Sequence, residues 1–171
     1  MKELTAEQFW TFSLNFYAKP EVASACIQLQ DTAELNVNLI LFCRFLDELG
    51  IALTNKQIQQ LAAQTKQLDD ALLQTLRHAR RNIPNAPLNT LQAKSIKKQL
   101  LSTELSLEKI QQEQLVNLYN SMVISEQREP QNMRLYISSR STQSSEAIVL
   151  FPTLSSNDLA FFSQISVITV R

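Results

Sequence analysis

The chain of 171 residues holds one glycine, Gly50, one histidine, His78, and two cysteines, Cys26 and Cys43. A single glycine leaves no Gly-rich phosphate loop, no dinucleotide fingerprint and no nucleophile elbow. Each of those needs glycine where the backbone turns sharply or approaches a ligand closely. One histidine and two cysteines cannot supply the usual zinc ligand sets, and they build no disulfide framework. A membrane-length apolar run is missing too. The most apolar stretch, residues 35–49, is too short to span a bilayer and carries Asn36, Asn38, Arg44, Asp47 and Glu48. The opening MKELTAEQFW enters an amphipathic pattern without the basic, apolar and small-residue succession of a signal peptide. The expectation is a cytoplasmic chain without membrane insertion, its two cysteines free and buried as small hydrophobes.

An excess of charge is also absent: 16 basic residues face 16 acidic ones. Their distribution is uneven. Residues 1–50 hold three basic residues against seven acidic, and residues 51–110 hold nine against four. Such a split bears on partners even when the total is zero.

What the chain does contain is helix pattern. Hydrophobic residues reach 44% and charged residues 19%, a globular composition with enough length for one real core. Thr5-Ala-Glu-Gln8 is a capping box opening a first helix to about Ala18. That helix presents Phe9, Trp10, Phe12, Leu14, Phe16 and Tyr17, more aromatic surface than one buried face needs, so Trp10 or Tyr17 is expected half exposed. Pro20 suits the first turn of a second helix ending near Thr32. Asn36 caps a third, apolar nearly all round and therefore central, which Gly50 stops. Thr54-Asn-Lys-Gln57 opens a fourth segment toward Arg81, with a break at 66–69 where Asp69 re-caps it. Asn82-Ile-Pro-Asn-Ala-Pro87 breaks the chain. A long fifth helix follows from Asn89 or Thr90 to Ser125, with a bend at Ser102-Thr103.

The fold class predicted is all-α: a bundle of about five helices over residues 1–128, with a variable Ser-rich tail over 129–171. In that tail, 138–145 reads as a polar linker, 147–151 and 165–170 as short β-prone runs, and Ser156-Asn157-Asp158 as a cap for one helical turn. The tail is either disordered or lays one or two strands on the bundle.

The strongest local feature is basic. Arg77, Arg80 and Arg81 share one helix face, and Lys94, Lys97 and Lys98 repeat the spacing on the next helix. No acidic residue lies between Asp70 and Glu104. If the hairpin folds about residues 82–89, both triplets sit near its end and the acids sit further down. That end reads as a solvated basic face with local pairs or as a contact for an anion or partner. His78 lies beside Arg77, whose charge disfavours protonation, and no positioned partner for catalysis is legible. Glu104 and Glu108 share a face and read as a solvated or salt-bridged stripe, the alternative being a metal pair completed by a third ligand. Asp31, Asn38 and Arg44 are the candidate polar network in the core, with Asp47 a further partner for Arg44. No catalytic residue, metal ligand or cofactor is assigned.

The runs Phe9-Trp10-x-Phe12-Ser13-Leu14-x-x-Tyr17, Pro20-x-Val22-x-x-Ala25-Cys26-x-x-Leu29-Gln30-Asp31, Val37-Asn38-Leu39 and Leu41-Phe42 resemble an uncharacterised proteobacterial protein family, a short helical domain of unknown function. Leu76-Arg77-x-x-Arg80-Arg81 and Glu104-Leu105-x-x-Glu108 are similar to its pattern as well, so the resemblance covers about residues 5–120. The chain departs from that pattern at Ala33-Glu34-Leu35-Asn36, where the family tends to carry a glycine and an acid. Phe45 stands in place of a tryptophan, and Thr75 in place of a proline. The resemblance implies an all-helical cytoplasmic protein and brings no activity, cofactor or catalytic residue. The function expected is a non-enzymatic protein-interaction domain that uses the aromatic first helix and the basic hairpin end. The alternative is a nucleic-acid- or ribosome-associated factor using the basic end; a small enzyme ranks third.

Overall fold

The computed structural model describes residues 3–124 and 129–140. The readings for 147–151, 156–158 and 165–170 lie outside the described residues. Within them the chain is all-α: α1 Ala6–Tyr17, α2 Pro20–Ala33, α3 Val37–Glu48, α4 Asn55–Leu68, α5 Gln74–Asn82, α6 Thr90–Asn120 and α7 Asn132–Arg140. A π-helical turn, Asp69–Leu73, joins α4 to α5, and a 3-10 turn, Ile83–Asn85, follows α5. Among the described residues no helix is long and apolar enough to cross a membrane.

Local chemistry sets the starts and stops. Thr5 and Gln8, Thr54 and Gln57, and Asn89 and Gln92 each form a reciprocal capping box. Asn36 caps α3 by accepting from the Leu39 N–H. Gly50 ends α3 at φ 73°, where a residue without Cβ is favoured. The end of α2 is less comfortable. Glu34 takes the left-handed conformation there, at φ 52°, and the Leu35 N–H reaches back to the Leu29 carbonyl at 3.3 Å. That closure is common for glycine and costs roughly 1–2 kcal/mol for a residue bearing Cβ.

The apolar α3 is central. Phe42 and Phe45 meet Phe9 of α1 at ring-centroid distances of 4.9 and 5.6 Å, and Phe42 meets Tyr119 of α6 at 6.0 Å. Cys26 and Cys43 are buried free thiols in this core. Burial pushes the Cys26 thiol up to about 12 and the Cys43 thiol well above its usual value, so neither is an ionised nucleophile at neutral pH.

Four expectations need correction. The fifth helix ends at Asn120 rather than Ser125. Ser102 and Thr103 lie inside continuous α6, where Thr103 Oγ1 donates to the Gln99 carbonyl at 3.0 Å. No side chain re-caps the helix at Asp69, where α4 passes directly into the π-helical turn. The fourth correction is larger, because the core does not stop at residue 128. Helix α7 lies along α3 and buries Met133, Tyr136 and Ile137, so Ser138 and Ser139 are helical rather than linker. Its docking is polar as well as apolar. Asp47 accepts from the first backbone N–H groups of α7, Asn132 at 2.7 Å and Met133 at 3.1 Å. A carboxylate there complements the positive helix start. Asn132 bridges back to the Ile51 carbonyl and the Leu53 N–H, and Tyr136 Oη accepts from the Asn36 N–H at 3.0 Å. Helix α7 therefore runs antiparallel to α3.

Candidate functional site

Two polar assemblies fix how α6 sits against the rest. The first is buried and centres on Gln111, fully inaccessible on α6. Its Oε1 accepts from Asn36 Nδ2 at 3.0 Å and Asn38 Nδ2 at 2.8 Å, and its Nε2 donates to the Thr65 carbonyl at 2.8 Å. Asn36 also donates to Asp69 Oδ2 at 2.6 Å, and Gln112 Nε2 donates to Asn38 Oδ1 at 2.9 Å. The π-helical turn starts at Asp69, so the backbone irregularity sits where the network ties α4 to α3 and α6.

Of the three residues expected to form the core network, only Asn38 belongs to it. Arg44 lies almost two turns further along α3, pairs with Glu48 at 3.0 Å and approaches the Phe16 ring at 6.0 Å. Asp31 is on the surface, 3.5 Å from Arg81. The two ends of α3 face different neighbours, so one network cannot hold all three. Asp47, the other suggested partner for Arg44, caps α7.

The second assembly is ionic. Arg80 forks onto Glu104 through Nε at 2.8 Å and Nη2 at 3.1 Å, and Glu104 is 4% exposed. This bonding raises the Arg80 pKa above its ordinary value. Arg77 reaches Glu108 at 2.8 Å and Asp69 at 3.6 Å. The salt-bridged reading of Glu104 and Glu108 therefore holds. The hairpin register does not. Pairs 80–104 and 77–108 centre the hairpin near Gln92, past the middle of the 82–89 breaker. Helix α6 therefore overshoots the end of α5, and all three arginines of the expected basic end are matched by acids, Arg81 by the exposed Asp31. Lys94, Lys97 and Lys98 are exposed and have no ion-pair partner among the described residues.

Among the described residues, the overshoot leaves most of the first half of α6 uncovered. Residues 90–103 are exposed except for Ala93 and Leu100, which are half-buried. Leu91, Lys94, Lys98, Leu101 and Leu105 are spaced alternately three and four apart, so they share one face. Leu91 is 80% exposed, Leu101 45% and Leu105 51%. At its lower end this face enters a groove of about 180 Å³ lined by Trp10, Leu14 and Tyr17 of α1 together with Leu105. Trp10 and Tyr17 are half-buried, Leu14 is exposed, and Lys109 Nζ lies 5.3 Å from the Trp10 ring. Burial first, and Cys26 second, raise the Tyr17 pKa above 10, so its hydroxyl stays protonated at neutral pH. Ser13 and Gln112 also line the groove, and both are nearly buried. Ser13 Oγ and Gln112 Oε1 have no hydrogen-bond partner among the described residues.

A second, open cleft of about 540 Å³ lies between α2 and α5. Asp31, Glu34 and Asp69 line it beside Arg77, His78 and Arg81, so its charges largely cancel. The His78 ring meets Asn82 Nδ2 at 2.9 Å. No general base, nucleophile and orienting group come together there. Among the described residues no group of His, Cys, Asp and Glu side chains could hold a metal ion.

The matches of this sequence to known families decide its kinship. The family model described as "Protein of unknown function (DUF2390)" matches residues 8–115. The chain belongs to the DUF2390 family. No curated protein and no solved structure matches it. The DUF2390 match takes in α1 to α5 and α6 as far as Leu115, including the Gln111 network, both arginine pairs and the groove.

Sequence reasoning missed Asn36 as a network member, along with Gln111, Gln112, Asn132 and Asp47 as a cap. A signal existed for two of them. Gln111 and Gln112 fall where the apolar stripe of α6 should continue between Leu107 and Leu115, and polar residues at such positions call for buried partners.

Proposed function

We propose that this DUF2390 chain is a non-enzymatic cytoplasmic protein-interaction domain. Its contact surface is the face of α6 from Leu91 to Leu105 and the groove where that face meets α1. One observation carries the reading: among the described residues nothing covers the face of α6 that holds Leu91, Leu101 and Leu105. Apolar residues along a helix face ordinarily cover a core, and here Leu101 and Leu105 face water next to the groove, with Lys94 and Lys98 between them and Leu91. The unpartnered polar atoms of Ser13 and Gln112 support this, since a buried polar atom without a partner costs about 1–3 kcal/mol. The groove's volume is below the roughly 300–1,000 Å³ of small-molecule pockets, which suits a side chain better than a free metabolite. The two protonated, buried thiols fit a reducing compartment.

The unpaired lysines favour nucleic acid as the second reading. Against it, Arg77 and Arg80 are already held by acids, and Ser95 and Ile96 rather than aromatic rings lie between the lysines. A photo-cross-linking residue placed at Leu101, with a control at Gln60 on the exposed face of α4, tests the proposal in cell lysate. The expected result is a discrete, nuclease-resistant protein adduct at position 101 alone. Equal labelling at both positions would refute the reading, and a nuclease-sensitive adduct would replace it with the nucleic-acid one.

A further inference from the structure

We propose that the occupant of this face is an acidic amphipathic helix of another protein, packed along α6 in coiled-coil fashion. The inference rests on the interaction reading and adds the chemistry of the partner.

The alternating spacing of three and four from Leu91 to Leu105 is the seam spacing of a two-helix coiled coil. Fourteen residues at 1.5 Å each give a seam of about 21 Å, so the partner needs about four helical turns. Leu91, Leu101 and Leu105 ask for apolar side chains opposite them. The seam ends at the pocket walled by Trp10, Leu14 and Tyr17, which takes one larger apolar side chain as an anchor. Lys94 and Lys98 lie within the seam and Lys97 beside it. No acidic residue occurs between Asp70 and Glu104, and the acids below are already matched by Arg77 and Arg80. The positive charge of the seam is therefore left for a partner to neutralise. A binding face of leucine and lysine selects a helix that offers leucine-like and carboxylate residues in the same register.

Other occupants fit less well. A second copy docked seam to seam would bring two sets of lysines together, and like charges across a helix interface are destabilising. Residues 141–171 of this chain contain only two acids, Glu146 and Asp158.

The test is selection of about 20-residue random peptides by messenger-RNA display on the full chain at low salt. Enriched sequences are expected to be net acidic, with apolar residues at coiled-coil spacing. Their affinity should fall at least tenfold against a chain carrying K94E, K97E and K98E, and less steeply as salt rises. A second variant, L101S with L105S, should abolish binding of the same peptides. Both variants alter exposed positions, and circular dichroism checks their folding. Peptides that need Leu101 and Leu105 but are neutral or basic would overturn this inference and leave the interaction reading standing. No enrichment, or peptides indifferent to both variants, would overturn both. Self-association of the wild type in sedimentation, lost in L101S with L105S, would assign the face to a second copy and overturn the inference.

Discussion

Replacing Gln111 with leucine tests whether the buried amide network holds α6 in register. The substitution keeps the volume roughly constant but removes four hydrogen bonds, from Asn36, from Asn38, to the Thr65 carbonyl and, the longest at 3.5 Å, to Asp69 Oδ1. Asn36 keeps Asp69 at 2.6 Å, and Asn38 keeps the Glu108 carbonyl at 3.3 Å, so neither side chain is stripped bare. At about 1 kcal/mol for each bond lost, partly offset by the apolar leucine, the net cost is roughly 2–3 kcal/mol. In a chain of this size that lowers Tm by about 4–12 °C. Urea unfolding followed by circular dichroism and Trp10 fluorescence should show an earlier midpoint with an unchanged slope. Gln111→Glu should cost more, because it places a carboxylate in the dry interior near Asp69. A loss below 0.5 kcal/mol (roughly, at the limit of the method) for Gln111→Leu would refute the claim that this residue fixes the register.

Other perturbations follow from the same geometry. Glu34→Gly relieves a left-handed residue and should stabilise the chain by about 0.5–1 kcal/mol once the greater freedom of unfolded glycine is counted; destabilisation would contradict the backbone reading. Glu104→Ala leaves the Arg80 guanidinium partly buried and unpaired, at a cost of about 2–4 kcal/mol. The double change with Arg80→Met should recover most of it, and strict additivity in the cycle would exclude coupling. Ellman's reagent at pH 8 should find both thiols silent in the native chain and reactive in urea. The folded Cys26 value, about 12, lies above its ordinary 9.0. Its contribution to stability is therefore complete below pH 9 and lost as pH rises from 9 toward 12; a rise in stability over that range would have the wrong sign.

The helix ends were largely legible because capping chemistry is local. Thr5 with Gln8, Thr54 with Gln57, Asn36, Pro20 and Gly50 each act on backbone groups within a few residues. The irregularity at Asp69 was legible in place but not in kind, because no side chain re-caps the helix there and the Asp69 carboxylate accepts from Asn36 instead. The register of the α5–α6 hairpin was not. It depends on the Arg80–Glu104 and Arg77–Glu108 pairs across 24 and 31 residues, whereas periodicity reports only neighbours. Helix α7 was hidden because Ser138 and Ser139 and its short length weaken the pattern. Its place is set by Asp47 and Asn132, contacts 85 and 79 residues apart in sequence. The exposed half of α6 reads as amphipathic in sequence, and only the overshoot of the hairpin shows that nothing among the described residues covers the Leu91–Leu105 face.

Hydrogen exchange along α6 in the isolated full chain tests the central claim most directly. A helix half that stands free of its own fold should open locally far more often than the half held by Gln111, Leu115 and Tyr119. The account predicts fast exchange for residues 90–103 and strong protection for 104–119. Strong protection throughout α6 would contradict it, because the face assigned to a partner would then already be covered.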